Sequence, residues 1–189
     1  MTERRTEIVS DDSELLILVD EQDNALGELD KASCHDGFGR LHRAFSVFIF
    51  NDQGELLLQQ RAEDKRLWPS FWSNSCCSHP RVGEAMDVAI QRRCEQELGM
   101  STDLRYVYKF KYQASFKDLG SEHELCSVYV GQYSGQLDIN HSEIMDYRWL
   151  SPEVLDAEMA ASPEQFTPWF AMEWDRLKTE FKDLLPVPA

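Results

Sequence analysis

At 189 residues, with 42% hydrophobic and 28% charged content, the chain is long enough for one domain with a substantial core and has the make-up of a soluble globular protein. Its net charge of −15 argues against wrapping nucleic acid or lying on an anionic membrane, while leaving room for a small anion gripped by a few converging cations. Five cysteines, an odd number, beside an N-terminal MTERRTEIVSDD that lacks an apolar signal core, read as reduced thiols of a cytoplasmic protein. One domain is expected over residues 1–189, with 1–12 disordered and the oligomeric state left open, leaning to a monomer.

Glu14 to Asp20 predicts a strand, followed by a turn at Asn24-Ala25-Leu26-Gly27. Ala44 to Asn51 and Glu55 to Arg61 are two β-rich runs separated by Asp-Gln-Gly, which predicts a hairpin. Pro69 and Pro80 bracket a short extended piece over 71–79, containing SCCSHP (Ser75 to Pro80). Strand alternation sends Cys76 and Cys77 to opposite faces and puts Cys77 on the face of His79. Residues 85–98 carry Met86, Ala89, Ile90, Cys94 and Leu98 at helical spacing, with Gly99 as the C-cap. Leu104 to Ser115, Glu122 to Tyr133 and Asp146 to Leu150 predict strands; Ser151 caps a short helix, and Pro163 to Leu184 is mostly helical from a Pro168 start. The order predicts an α/β (α+β) fold, a mixed sheet with helices against its faces.

Two constellations carry chemistry. His35, His42 and His79, with Glu122 and Glu124 on one face of a strand and His123 on the other, form a possible nitrogen/oxygen site for Mn²⁺, Zn²⁺ or Mg²⁺. Isolated surface histidines and an exposed carboxylate pair are the competing explanation, and spacing alone leaves both open. On the central helix, Arg93 and Glu97 share a face. That pair suits a guanidinium on phosphate oxygens beside a carboxylate on bridging Mg²⁺, or else a surface ion pair worth about 0.3 kcal/mol.

The segment SHPRVGEAMDVAIQRRCEQELGM resembles the Nudix box of diphosphate-cleaving enzymes at Glu84, Arg92, Cys94, Glu97, Gly99 and Met100. It departs where Ser78 replaces the opening Gly and where Arg93 and Gln96 replace metal-binding glutamates. Four further motifs occur in order: Lys31, His35, His42, Ala44 and Phe45; Trp72 to Pro80; Arg92 to Gly99; and Glu122 to Cys126. Together, over about residues 14–175, they resemble type 1 isopentenyl-diphosphate Δ-isomerase, which keeps a Nudix-like core (here about 40–160) with an extra N-terminal strand and C-terminal helices.

The resemblance implies interconversion of isopentenyl and dimethylallyl diphosphate in isoprenoid biosynthesis. It implies a divalent metal on His35, His42, His79, Glu122 and Glu124, proton delivery by Glu124 with Tyr112, and Cys77 as the opposite acid/base. Lys31, Arg61, Lys65 and Arg93 would hold the diphosphate, Glu97 its Mg²⁺, and Trp169 would offer an aromatic face to a cationic transition state. The partner implied is a small allylic or homoallylic diphosphate; a diphosphate hydrolase and a non-catalytic diphosphate- or metal-binding module are the alternatives. Glu173 to Asp183 is expected to be a solvated helix face. Trp68, Phe71 and Trp72 are expected as core or pocket wall, and Cys34, Cys94 and Cys126 as small buried side chains.

Overall fold

A computed structural model describes residues 4–186. The strands are β1 (Leu15–Val19), β2 (Ala25–Asp30), β3 (His42–Phe50), β4 (Leu56–Arg61), β5 (Trp72–Ser73), β6 (Cys76–Ser78), β7 (Leu104–Phe116), β8 (Gly120–Gln132) and β9 (Ile144–Leu150). The helices are α1 (Lys31–Cys34), α2 (Met86–Leu98), α3 (Pro152–Ala161) and α4 (Pro168–Glu180). Single 3₁₀ turns at Pro163–Gln165 and Lys182–Leu184 flank the last helix.

The centre of the molecule is β3. It is buried along nearly all its length because it runs parallel to β8 on one side and antiparallel to β6 on the other. Its alternate residues fill two separate cores. Ala44, Phe48 and Phe50 face a core with Phe170, Trp174 and Leu177 of α4, whereas Phe45, Val47 and Ile49 meet Ala89, Ile90, Cys94 and Leu98 of α2. A strand covered on both faces reads as a continuous apolar run, and AFSVFIF does so. The mixed sheet with helices on both faces is the expected α+β fold.

The 55–61 run differs from a simple hairpin. β3 and β4 pair only at Phe50↔Leu56, next to a turn closed by the Asn51 side chain on the backbone N–H groups of Gln53 and Glu55. Beyond it the two strands part, β4 taking β9 and β5 as partners. The first turn also lies earlier than expected. The Asp20 carboxylate accepts from the N–H groups of Gln22 and Asn24 at 2.9 Å each, so Ala25 and Gly27 already belong to β2. Gly99 ends α2 in the left-handed conformation at φ 65°, and the Ser151 hydroxyl caps α3, both as expected.

Residues 1–3 of the segment expected to be disordered lie outside the described residues. The described remainder makes long-range hydrogen bonds to the body of the protein. Arg5 donates to the Asp138 carbonyl at 2.8 Å and to the Glu95 and Gln96 carbonyls in the last turn of α2 at 3.2 and 3.3 Å. The Glu7 carbonyl accepts from Asn140 and Ser142, and the Val9 carbonyl from Arg93 at 2.7 Å. Polarity of the side chains concealed a segment held mainly through its backbone carbonyls.

Among the described residues no helix is long and apolar enough to cross a membrane. Glu173 corrects the solvated-face expectation for α4. It is fully buried, and its carboxyl accepts from the Cys126 thiol at 3.5 Å, while Arg176 and Glu180 on the same helix pair at the surface.

Candidate active site and metal centre

Neighbouring strands bring the catalytic candidates together through their register. Tyr112 on β7 is opposite Glu124 on β8, which is opposite His42 on β3; on the other side of β3, Cys77 on the adjacent β6 is opposite Ser46. His79 follows β6, and His35 ends α1, whose backbone is tied to β8 by the Ser121 N–H on the His35 carbonyl at 2.9 Å. Alternation turns Glu122 and Glu124 inward and leaves His123 outside the cluster, as the sequence predicts.

The five ligand atoms of His35, His42, His79, Glu122 and Glu124 lie within 4.8 Å of one another. The Nδ1 atoms of His35 and His42 are engaged with the carbonyls of Lys31 at 2.6 Å and Arg40 at 2.7 Å. In those contacts Nδ1–H donates to each carbonyl, which turns Nε2 of both rings inward toward the carboxylates. His42 Nε2 then faces His79 Nε2 at 3.1 Å, with Glu124 Oε1 2.9 Å from His79, and His35 Nε2 lies 2.8 Å from Glu122 Oε2. Such convergence of acceptors cannot satisfy itself, and it suits a divalent cation with nitrogen and oxygen ligands.

The electrostatics agree. Burial disfavours charge on His35, but Glu122 outweighs it and pushes the imidazole up to about 9. Burial brings His79 down to about 4, against the pull of its Glu124 hydrogen bond. Burial also opposes ionisation of Glu124, yet the imidazoles of His42, 3.6 Å away, and His79, hydrogen-bonded at 2.9 Å, hold it well below the carboxylate range. Tyr112 donates to Glu124 Oε2 at 2.6 Å; burial and that anion push its phenol far up, so it keeps its proton. Burial likewise raises the Cys77 thiol.

All of these groups but the fully buried His42, which adjoins through His79 and Glu124, line one pocket of about 430 Å³ together with Lys31, Arg61, Lys65, Arg93, Glu97 and Trp169. Every candidate read from the sequence is therefore in the same place. Arg61 is oriented by the carbonyls of Leu67 and Trp68 at 3.0 Å each and lies 5.3 Å over the Trp169 ring. Trp169 is itself fixed by its indole N–H on Ser73 Oγ at 3.1 Å and by the edge of Trp68. Trp68 and Ser70 adopt positive φ, 47° and 63°, so this supporting loop carries backbone strain next to the pocket.

Arg93 and Glu97 are not a surface pair. Both are buried and ion-paired, and Arg93 Nε has no hydrogen-bond partner among the described residues. Arg92, one residue earlier, instead clamps Glu84 with two hydrogen bonds at 2.7 and 2.8 Å, fastening the preceding loop to α2. Trp68, Phe71, Trp72 and the cysteines Cys34, Cys94 and Cys126 take the wall and core positions expected of them.

Two lining groups were missed. Glu143 joins Lys65 and Arg93, and Ser10 hydrogen-bonds Lys31. Neither lies in a recognisable spacing; Glu143 is one carboxylate in a polar loop, NHSEI, with nothing local to distinguish it.

A NUDIX domain model matches residues 40–170. The isopentenyl-diphosphate Δ-isomerase 1 of Photorhabdus laumondii is 41% identical to this chain over 174 residues, covering 90% of this chain and 99% of that protein. That of Serratia proteamaculans is 46% identical, covering 83% and 87%. This chain belongs to the isopentenyl-diphosphate Δ-isomerase family. A solved Deinococcus radiodurans protein superposes on the isomerase chain with a TM-score of 0.73 at 25% identity, covering 86% of it and 98% of the other chain. A MutT protein from Methanosarcina mazei shares the fold at a TM-score of 0.62 and 18% identity. The isomerase scaffold is thus a NUDIX fold whose box has lost two of its acidic positions, at Arg93 and Gln96.

Proposed function

We propose that the chain interconverts isopentenyl and dimethylallyl diphosphate, serving isoprenoid biosynthesis in the cytoplasm, with no nucleic acid or membrane as partner. The observation that carries the mechanism is the meeting, in one pocket, of a thiol, a phenol hydrogen-bonded to a carboxylate, and a cluster of cations. The reaction adds a proton to the terminal alkene carbon and removes one from the carbon next to the diphosphate-bearing methylene. The double bond moves and the diphosphate stays attached.

Tyr112 and Cys77 both hold protons in the resting site, whereas Glu124 is ionised. The thiol of Cys77 is therefore the group that gives a proton to the terminal alkene carbon, and the ionised Glu124, with its Tyr112 partner, takes one from the carbon next to the diphosphate-bearing methylene. The step leaves a thiolate and a protonated Glu124, and the two exchange roles when the reaction reverses. A tertiary cationic centre between them is stabilised by the Trp169 ring, and the buried Trp169 and Tyr112 beside the half-buried Cys77 limit competing water.

Mn²⁺, Zn²⁺ or Mg²⁺ on His35, His42, His79, Glu122 and Glu124 would polarise the Glu124 carboxylate and its phenol partner, easing release of the proton that Glu124 takes up. Lys31, Arg61, Lys65 and Arg93 would bind the diphosphate, and Glu97 would hold a Mg²⁺ that neutralises part of its charge. Arg93 Nε, a buried donor without a partner, is matched by a phosphate oxygen.

The test is incubation with isopentenyl diphosphate in deuterated water. Label is expected in dimethylallyl diphosphate with no release of phosphate. Phosphate release without an allylic product would make the chain a hydrolase, and unchanged substrate would make it a binding module.

A further inference from the structure

Glu143 occupies the middle of the cationic end of the pocket. Its side chain is 8% exposed, and a single oxygen, Oε2, accepts from Lys65 Nζ at 2.5 Å and from Arg93 at 3.2 Å. Its backbone carbonyl accepts from the Ala62 N–H at 3.0 Å, so the residue is anchored beside the end of β4. Burial opposes its ionisation, but Lys65 and Arg93 prevail and hold the carboxyl below its ordinary value. Lys31 faces the same group.

One carboxylate oxygen thus gathers two of the cations assigned to the diphosphate. Around this point three cations, Lys31, Lys65 and Arg93, face two carboxylates, Glu97 and Glu143. The whole pocket is more acidic still, with five basic side chains and seven carboxylates in its lining. Arg61 raises the local surplus to two cations, but the lining as a whole carries two more carboxylates than cations, so it does not offset a bare diphosphate ester, whose terminal phosphate alone carries about −1.5 to −2 near neutrality. Bare diphosphate would be opposed there, while its magnesium complex is close to matched.

We propose that Glu143 is a specificity-determining residue: it cancels one cation of the cluster, so that the pocket accepts a diphosphate as its magnesium complex and refuses the bare anion. The proposal rests on the diphosphate reading above and adds a reason for the form in which the anion enters. Glu143 also keeps Lys65 and Arg93 converged before the ligand arrives, since two cations sharing one acceptor are held against their mutual repulsion.

The test is calorimetric titration of inorganic pyrophosphate into the full chain, with and without magnesium, comparing the ratio of the two affinities among variants. Any effect of the His/Glu site is common to all variants and drops out of the comparison. Glu143→Gln is expected to tighten binding of bare pyrophosphate and shrink the ratio by at least about tenfold, or about 1.4 kcal/mol. Glu143→Asp, which keeps the charge, should stay near wild type, and Lys65→Gln should enlarge the ratio. An unchanged ratio in folded Glu143→Gln overturns the proposal. If that variant does not fold, an unchanged or smaller ratio in Lys65→Gln overturns it instead. Wild-type chain that binds pyrophosphate in neither buffer overturns the diphosphate reading and this proposal with it.

Discussion

The two ends of the pocket are built by opposite means. The His/Glu end hangs on strand register, with His42, Glu124 and Tyr112 side by side on β3, β8 and β7, and it holds an excess of inward-facing acceptors. The cationic end comes from α1, the loop after β4, α2, the loop before β9 and the N-terminal segment, and it holds an excess of donors. Protein atoms already occupy most of those donors: Glu97 and Glu143, the Val9 carbonyl and the Ser10 hydroxyl. One end requires a cation to be at rest. The other is self-satisfied apart from Arg93 Nε and must exchange partners to take an anion. Charge complementarity then sets where each half of the ligand goes, and the reacting carbons fall between, beside Cys77, Tyr112 and Trp169.

The largest expected effect lies at that boundary. Cys77→Ser should lower isomerisation by about 10³-fold, because the hydroxyl is far less acidic than the thiol it replaces. Metal content and pyrophosphate affinity, measured on the same preparation, should stay near wild type. Retained turnover would remove Cys77 from the mechanism and leave the two ends without a proton carrier between them.

Breaking the His/Glu end should cost less in chemistry. Glu124→Gln keeps the volume but removes the anion that Tyr112, His42 and His79 address, and turnover should fall by about 10²-fold with metal affinity reduced. Chelation should cost turnover at least as much as Glu124→Gln does and be reversed by adding a divalent ion. A metal-stripped protein that works at full rate would show that the converging acceptors have another purpose.

Glu173 sharpens the contrast, because its carboxyl lies in the core with neither kind of compensation. Burial raises it to about 8 from an ordinary 4.5, so the native state keeps a proton that the unfolded chain releases near 4.5. Between those values the unfolded state binds fewer protons, and stability falls as pH rises. Glu173→Gln should therefore be neutral near pH 4 and stabilise by about 2–3 kcal/mol at pH 8 in denaturant melts. A gain that does not grow with pH would mean that Glu173 is already ionised in the native state.

The smallest effect is on metal affinity. His35 holds its proton up to about 9 and must lose it to ligate, so affinity should rise by about tenfold per pH unit from pH 7 toward 9, with proton release. Isothermal titration in buffers of different ionisation enthalpy measures both. A flat profile would place the proton elsewhere in the cluster.

Legibility followed the same division. Period-two alternation is a local property, so the shared face of Glu122 and Glu124, the outward His123 and the opposite faces of Cys76 and Cys77 could be read from the chain. The helix spacing likewise put Arg93 and Glu97 on one face of α2. That the face is buried, which turns an ordinary ion pair into part of a binding cluster, depended on the docked N-terminal segment and the loop carrying Glu143. The hairpin signal at Asp52-Gln53-Gly54 correctly marked a turn but not the strands' partners, because pairing beyond the turn is decided by competition with β6, β8, β5 and β9.

By itself the sequence determined the family, the strand and helix periods, and the identities of the metal-ligand and proton-carrying candidates, since these reside in local spacing and side-chain chemistry. Only the tertiary structure decided that Glu143 governs the cations, that Glu173 is buried while Arg176 and Glu180 on the same helix are exposed, and that the N-terminal segment docks. Each of those outcomes depends on what packs against a residue from far along the chain, and a charged side chain carries no local mark of whether its counter-charge will be water or protein.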